Sequence, residues 1–159
     1  MILVKKLLAI ILILILSFGG CSFKEKPLKI VTVTDLHFTG KDAFSYEGSF
    51  AAANDNNGTG KQVRYVEEIF DAFIYQMLSE KPDFIVITGD LAFDGAKASH
   101  LALKEKLIPL SEAGIKILVL PGNHDITGAA YTFPNGEARI SDSVTPEEFR
   151  EIYSEFGYS

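Results

Sequence analysis

The chain has 159 residues, with 15 Lys and Arg against 21 Asp and Glu and a formal net charge of −6. That is the length of one ordinary domain. The acidic balance excludes a broad basic face for nucleic-acid duplexes, which takes clustered Lys and Arg. A single cysteine excludes an internal disulfide, so a packed core or a bound metal must supply the stability.

Residues 1–20, MILVKKLLAIILILILSFGG, have the layout of a secretory signal. Lys5 and Lys6 form a charged start, Leu7 to Leu16 is unbroken aliphatic chain, and small residues follow. The apolar run is short for a membrane span. Cys21 stands directly after Gly19-Gly20, which resembles the lipobox of bacterial lipoproteins, although Phe18 occupies a position that is usually aliphatic. The expectation is a signal peptide over 1–20, acylation at Cys21, and a lipid-anchored tether over 21–27 ahead of a domain over 28–159. The protein would then be extracytoplasmic and held to the cell membrane, stably so with two or more acyl chains. Residues 1–20 contain two lysines and no acids, so the remainder carries a net charge of about −8.

LKIVTVT (28–34) is rich in β-branched residues and predicts a strand ending at Asp35. Residues 39–62 are rich in Gly, Asn, Ser and Ala and predict a long loop, a length often tied to function. From Val63 the apolar residues recur at three- and four-residue spacing through Phe70, Phe73, Met77 and Leu78, which predicts a helix stopping before Pro82. FIVIT (84–88) predicts a strand buried on both faces. Lys97 to Ala113 predicts a second helix, bent or split at Pro109 and ended by Gly114. KILVL (116–120) predicts a third strand. FPNGEARI (133–140) predicts a surface loop with an Asn-Gly turn. Thr145 and Glu148 then form a capping box around Pro146, opening a last helix with Phe149, Ile152, Tyr153 and Phe156 on its apolar face. The order strand, helix, strand, helix, strand argues for an α/β fold with parallel strands in βαβ units.

Each of the three strands ends in metal-ligating residue types: Asp35 and His37, then Gly89-Asp90, then Gly122 to Asp125 (GNHD). Ligands bind beyond the carboxyl ends of strands in open parallel sheets. Asp35 and His37 are two apart, and an extended segment would point both the same way. Carboxylate oxygen and imidazole nitrogen together suit divalent zinc, manganese or iron. Gly89 and Gly122 leave room for sharp turns and close approach. Singly, each piece has an ordinary reading: an N-cap Asp, a GD turn, a solvated His. Three in order, each closing an apolar strand, favour a metal site.

The series DLH, GD and GNHD resembles the calcineurin-like metallophosphoesterase superfamily. The resemblance implies the N-terminal half of a metallophosphoesterase β-sandwich flanked by helices, and a metal-dependent phosphoester hydrolase with two divalent ions (Mn, Fe or Zn). By that likeness Asp35 and His37 bind the first ion, Asp90 bridges both, and Asn123 binds the second. His124 is not a ligand; it stabilises charge on the phosphoryl group or protonates the leaving oxygen, with Asp125 a candidate for orienting its neighbour. Protein phosphatases continue GD as GDxxDRG, whereas this chain reads GDLAFDG, with Phe93 at the position of that Asp. The GDL form looks like the cyclic-nucleotide phosphodiesterase-like branch. GKQ (60–62) and IYSEFGY (152–158) are similar to its secreted lipoprotein members. The implied substrate is a small phosphoester, with cyclic nucleotides one candidate class.

The family pattern continues beyond GNHD with three further histidine ligands. This chain has only His37, His100 and His124, and His100 is expected to be a surface or groove residue of a helix. The expectation is therefore the N-terminal part of a longer protein, with weak metal binding and little turnover in these 159 residues alone. A non-catalytic remnant acting as a binding or structural domain is the alternative from another class. A phosphomonoesterase or protein phosphatase is the alternative on the same site. NGTGKQ (57–62) is similar to the end of a P-loop, but Gln62 replaces the Ser or Thr and Asp55 replaces the first Gly. No strand leads into it, so nucleotide triphosphate hydrolysis is excluded.

Overall fold

The computed structural model describes residues 26–56 and 60–158; the signal sequence and Cys21 lie outside the described residues. Three parallel strands, β1 (Ile30–Thr34), β2 (Phe84–Thr88) and β3 (Lys116–Leu120), form a sheet in the order β1-β2-β3. The register aligns Ile30 with Phe84 and Lys116 at one end, and Thr34 with Thr88 and Leu120 at the other. All three strands therefore stop at the same level. This is the α/β fold with βαβ units that the sequence pattern predicts.

The crossovers carry α2 (Val66–Glu80) and α3 (Lys97–Glu112). A strand order that steps one way, joined by right-handed crossovers, puts both helices on one face of the sheet. Ile85, Ile87, Ile117 and Val119 are buried there in one core with Phe70, Met77, Leu103, Leu107 and Leu110. On the opposite face Ile30, Leu118 and Leu120 remain 54%, 41% and 52% exposed. The expectation that FIVIT is buried on both faces is thus corrected: Ile85 and Ile87 are buried, while Phe84, Val86 and Thr88 are half-buried. Alternation, which the unbroken apolar run concealed, governs that strand. Pro109 does not split α3, which runs unbroken through it to Glu112; the proline falls in the last turn, so little helix follows it.

The long loop contains an unforeseen helix, α1 (Gly48–Asn56). Its anchor is Phe50, whose ring stacks on Phe133 with centroids 4.4 Å apart. Phe44, Phe50, Val63, Ala96 and Ala130 form a second, smaller core, with Phe93 and Phe133 packed against it. FPNGEARI is more than a loop: it joins β4 (Ala130–Thr132) and β5 (Arg139–Ser141) in an antiparallel pair. Asn135 and Gly136 both take positive φ there, the signature of an Asn-Gly turn. A Cβ at position 136 would collide with the carbonyl of Glu47, so this turn and the entry to α1 can approach only because 136 is glycine.

The last helix, α4 (Pro146–Ile152), starts as predicted. Thr145 Oγ1 accepts from the Glu148 amide at 3.1 Å, and Glu148 Oε2 accepts from the Thr145 amide at 2.9 Å. Its apolar face, with Tyr153 and Phe156 beyond it, is buried in the main core. Among the described residues no helix is long and apolar enough to cross a membrane.

Candidate metal centre

The in-register strand ends deliver the three motifs to one place. The ladder continues past the strands: the Asp35 amide donates to Thr88 O at 3.2 Å, His37 to Asp90 O at 2.8 Å, and Gly89 to Leu120 O at 3.0 Å. These bonds tie DLH to GD and GD to the end of β3. The result is a group of Asp35, His37 and Asp90 whose ligating atoms all lie within 4.8 Å of one another. His37 Nε2 is 3.5 Å from Asp90 Oδ2, and both residues are buried, whereas Asp35 is exposed.

The backbone here is bent into the left-handed region. Asp35, His37, Asp90 and Asp94 have φ of 54°, 43°, 27° and 49°, and Gly89 has φ of 69°. The expected extended arrangement of Asp35 and His37 is therefore corrected: two left-handed residues, not strand alternation, turn their side chains together. Asp, Asn and His are the side chains that tolerate this region best, and such conformations cluster where structure is strained for a site. Gly122 fits as predicted, since a Cβ there would collide with the amide and Oδ1 of Asp90.

His124 stands beside the cluster. Its backbone amide donates to Asp90 Oδ1 at 3.0 Å, its Nε2 is 4.0 Å from Asp90 Oδ2, and its ring lies 5.6 Å from that of His37, edge to face. Asn123 occupies an exposed position on the same turn, next to Gly122 and His124. Asp94 is a participant the motif comparison missed. Its Oδ1 lies 3.9 Å from His124 Nδ1. Phe93 occupies the position where the related pattern has an acid, but the left-handed turn at 94 brings the next residue's carboxylate to the histidine. The Asp-Gly pair at 94–95 was the available signal, since Asp-Gly marks such turns.

Asp125 is fully buried and holds the site from behind. Its Oδ2 accepts from the Gly122 amide at 2.7 Å and the Leu91 amide at 3.0 Å, and its Oδ1 from the Ala92 amide at 2.9 Å. Its carboxylate is thus fully engaged with backbone and joins the GNHD turn to the GDLA turn. His100 is corrected from a surface or groove residue to a core one: it is 0% exposed. Its Nε2 donates to the Asp125 carbonyl at 3.3 Å, and its Nδ1 accepts from the Tyr153 hydroxyl at 3.1 Å. The signal was in the periodicity, because His100, Leu103, Leu107 and Leu110 share one helical stripe.

Burial lowers the pKa of His37, and the nearby Lys61 charge lowers it further against the opposing pull of Asp90. A neutral imidazole is the form that ligates metal. Two carboxylates and one neutral imidazole, drawn together at glycine-opened turns, fit a divalent cation by donor chemistry. Burial also lowers the pKa of His100, outweighing the attraction of Asp125.

Two outcomes are expected. Asp125→Ala leaves three backbone N–H groups without their acceptor, each worth about 1–3 kcal/mol when buried. Urea denaturation should therefore show a loss of roughly 3 kcal/mol or more; a loss below about 1 kcal/mol would contradict the brace. For His100 the unfolded state binds the proton first as pH falls, because the folded pKa lies below the ordinary value of about 6.5. Its contribution is full above that value and declines below it, by at most about 1.4 kcal/mol per pH unit. The stability difference between wild type and His100→Asn should shrink on going from pH 8 to pH 5; a difference that stays constant would rule this out.

Comparison with known proteins agrees with this geometry. A probable cyclic nucleotide phosphodiesterase of Coxiella burnetii is 32% identical over 126 residues, covering 79% of this chain and 39% of that protein. An uncharacterized metallophosphoesterase of Bacillus subtilis, YhaO, is 40% identical over 92 residues, covering 50% of this chain and 22% of its own length. An uncharacterized protein of Schizosaccharomyces pombe is 28% identical over 111 residues, which are 66% of this chain and 20% of that protein. The chain spans about a fifth to two fifths of the length of these relatives. The family described as calcineurin-like phosphoesterase matches residues 28–158. That match takes in all three strands and every residue of the cluster, and the chain belongs to the calcineurin-like phosphoesterase family.

Proposed function

We propose that this domain is the metal-holding part of a hydrolase for small phosphodiesters. The observation that carries the reading is the convergence of Asp35, His37 and Asp90 within 4.8 Å at the in-register ends of three parallel strands. Family membership implies divalent metal binding, and two relatives named probable cyclic nucleotide phosphodiesterases support the substrate class. In this reading Asp35 and His37 would hold one ion, Asp90 would serve both, and Asn123 would hold the second through its side-chain carbonyl. Divalent ions at such a site supply Lewis-acid charge for the phosphoryl oxygens and activate water at neutral pH.

The chain's own residues supply the proton. His124 is partly open to solvent, so its ring can reach a substrate. Its main chain is bonded to Asp90, which fixes the acid relative to the metal-holding carboxylate. Asp94, on the Nδ1 side, orients the ring, leaving Nε2 to face the leaving oxygen. The N-terminal sequence supports an extracytoplasmic place for the domain, tethered by lipid on Cys21.

The complete gene product, stripped of metal and reloaded with manganese, should hydrolyse bis-p-nitrophenyl phosphate. Asp90→Asn should weaken ion binding in calorimetry. His124→Gln should keep ion binding and lower kcat by about 10²–10⁴-fold, the usual contribution of a general acid. Unchanged kcat in that variant would remove His124 from the chemistry, and ion binding without any turnover would favour a binding domain. Cys21→Ser should move the protein from the membrane to the soluble fraction; retention in the membrane would exclude the lipid tether.

A further inference from the structure

A cavity of about 510 Å³ opens beside the metal centre, at the carboxyl end of β1. Asp35 and His37 are part of its lining, so an occupant can reach the cluster. Val66, Phe70 and Phe73 of α2 form an apolar wall, and Lys61 sits at the rim. The volume falls in the range of small-molecule sites, about 300–1,000 Å³, which is more space than a bare phosphate needs.

Lys61 belongs to the segment dismissed as a P-loop, and its position gives that segment a different use. Gly60 takes a left-handed φ of 75°, and Val63, two residues after Lys61, is buried in the aromatic core. The lysine is thereby held between a left-handed glycine and a packed anchor, in the lining of the same cavity as Asp35 and His37. It is the one permanent cation among the described residues lining the cavity. None of the ion pairs among the described residues includes it. Its charge is thus free for a ligand, in a chain whose net charge is −6.

We infer that Lys61 and the apolar wall of α2 form a substrate subsite, in which the ammonium group binds a phosphoryl oxygen and the wall receives an aromatic or otherwise hydrophobic group of a phosphodiester. The inference rests on the phosphoesterase reading of the metal centre and deepens it. A lysine suits this place as a compact charge on a flexible stem, able to follow an oxygen held at the metal-binding residues. The wall then selects among esters by the group they carry, since removal of apolar surface from water is proportional to the area covered.

The test uses the metal-loaded complete gene product and its Lys61→Met, Lys61→Arg and Phe73→Ser variants. Lys61 is exposed, so both replacements should leave the fold intact. Inorganic phosphate, titrated by calorimetry, should bind at least about tenfold more weakly to Lys61→Met, the usual scale for a hydrogen bond to a charged group. Lys61→Arg should recover most of that affinity. For bis-p-nitrophenyl phosphate, Lys61→Met should raise KM with a smaller change in kcat, the mark of lost binding common to ground and transition states. Phe73→Ser should raise KM for that substrate and leave KM for methyl p-nitrophenyl phosphate less affected. Equal phosphate affinity in wild type and Lys61→Met overturns the assignment, whether or not hydrolysis is seen. Equal effects of Phe73→Ser on both esters overturn the apolar half. Absence of hydrolysis in a wild type that binds metal and phosphate overturns the phosphoesterase reading, and with it the substrate class inferred here.

Discussion

The Asp125 carboxylate accepts three backbone hydrogen bonds, from Gly122, Leu91 and Ala92, in a position sealed from solvent. Two of those donors belong to the turn after β2 and one to the turn after β3. A buried charge is costly unless fully bonded, and here the bonding partners are the two turns that must stay together. If the turns separated, the carboxylate and three amides would lose their partners at once. The relation of Asp90 to His124 rests on this brace, and so does the placing of Asn123. His100 and Tyr153 extend it: the imidazole caps the Asp125 carbonyl, and the tyrosine hydroxyl satisfies the imidazole from the C-terminal helix. The docking of α4 is thus connected through two side chains to the back of the metal centre, and no buried side-chain polar atom among the described residues lacks a partner.

The front of the centre is strained where the back is satisfied. Four non-glycine residues adopt left-handed φ in the turns after β1 and β2, each at a cost that only surrounding structure can sustain. The sustaining structure is the parallel ladder, which does not stop at Thr34 and Thr88 but runs on through Asp35, His37 and Phe38 to Leu91. Hydrogen bonds on both sides of each bent residue hold it in place. Asp, His and Asp thus serve twice: they endure the conformation better than most side chains, and they carry the donor atoms that the conformation brings together.

What could be read in advance follows from this division. The strands, both crossover helices and the capping box are local patterns of apolar spacing and turn chemistry, and they stand within three residues of where those patterns put them. The three ligand motifs were legible because each closes an apolar run. Helix α1 was not, because GSFAAANDN has little apolar periodicity and is held chiefly by one ring, Phe50, against Phe133 from far along the chain. Asp94 escaped because a fixed motif spacing does not anticipate a left-handed turn. His100 escaped because a histidine suggests a surface until the leucines three, seven and ten residues later are counted with it. In each case the missing information was a long-range contact or a backbone conformation, neither of which residue spacing records.

The strand order also decides from which side the centre can be approached. With both crossover helices on one face, the chain wraps the cluster from below through α2 and α3 and from behind through the Asp125 brace. The aromatic core of Phe44, Phe50 and Phe133 closes the flank next to Phe93, whose ring meets His37 edge-on at 6.4 Å. What is left open is the side where Asp35 and Asn123 are exposed, together with the cavity rimmed by Lys61. Two carboxylates and one imidazole would not by themselves fill the coordination shell of a divalent ion, and the side left open is the one by which further groups could reach it. Any group that enters by that side meets Lys61 there, a cation in a chain whose net charge is −6.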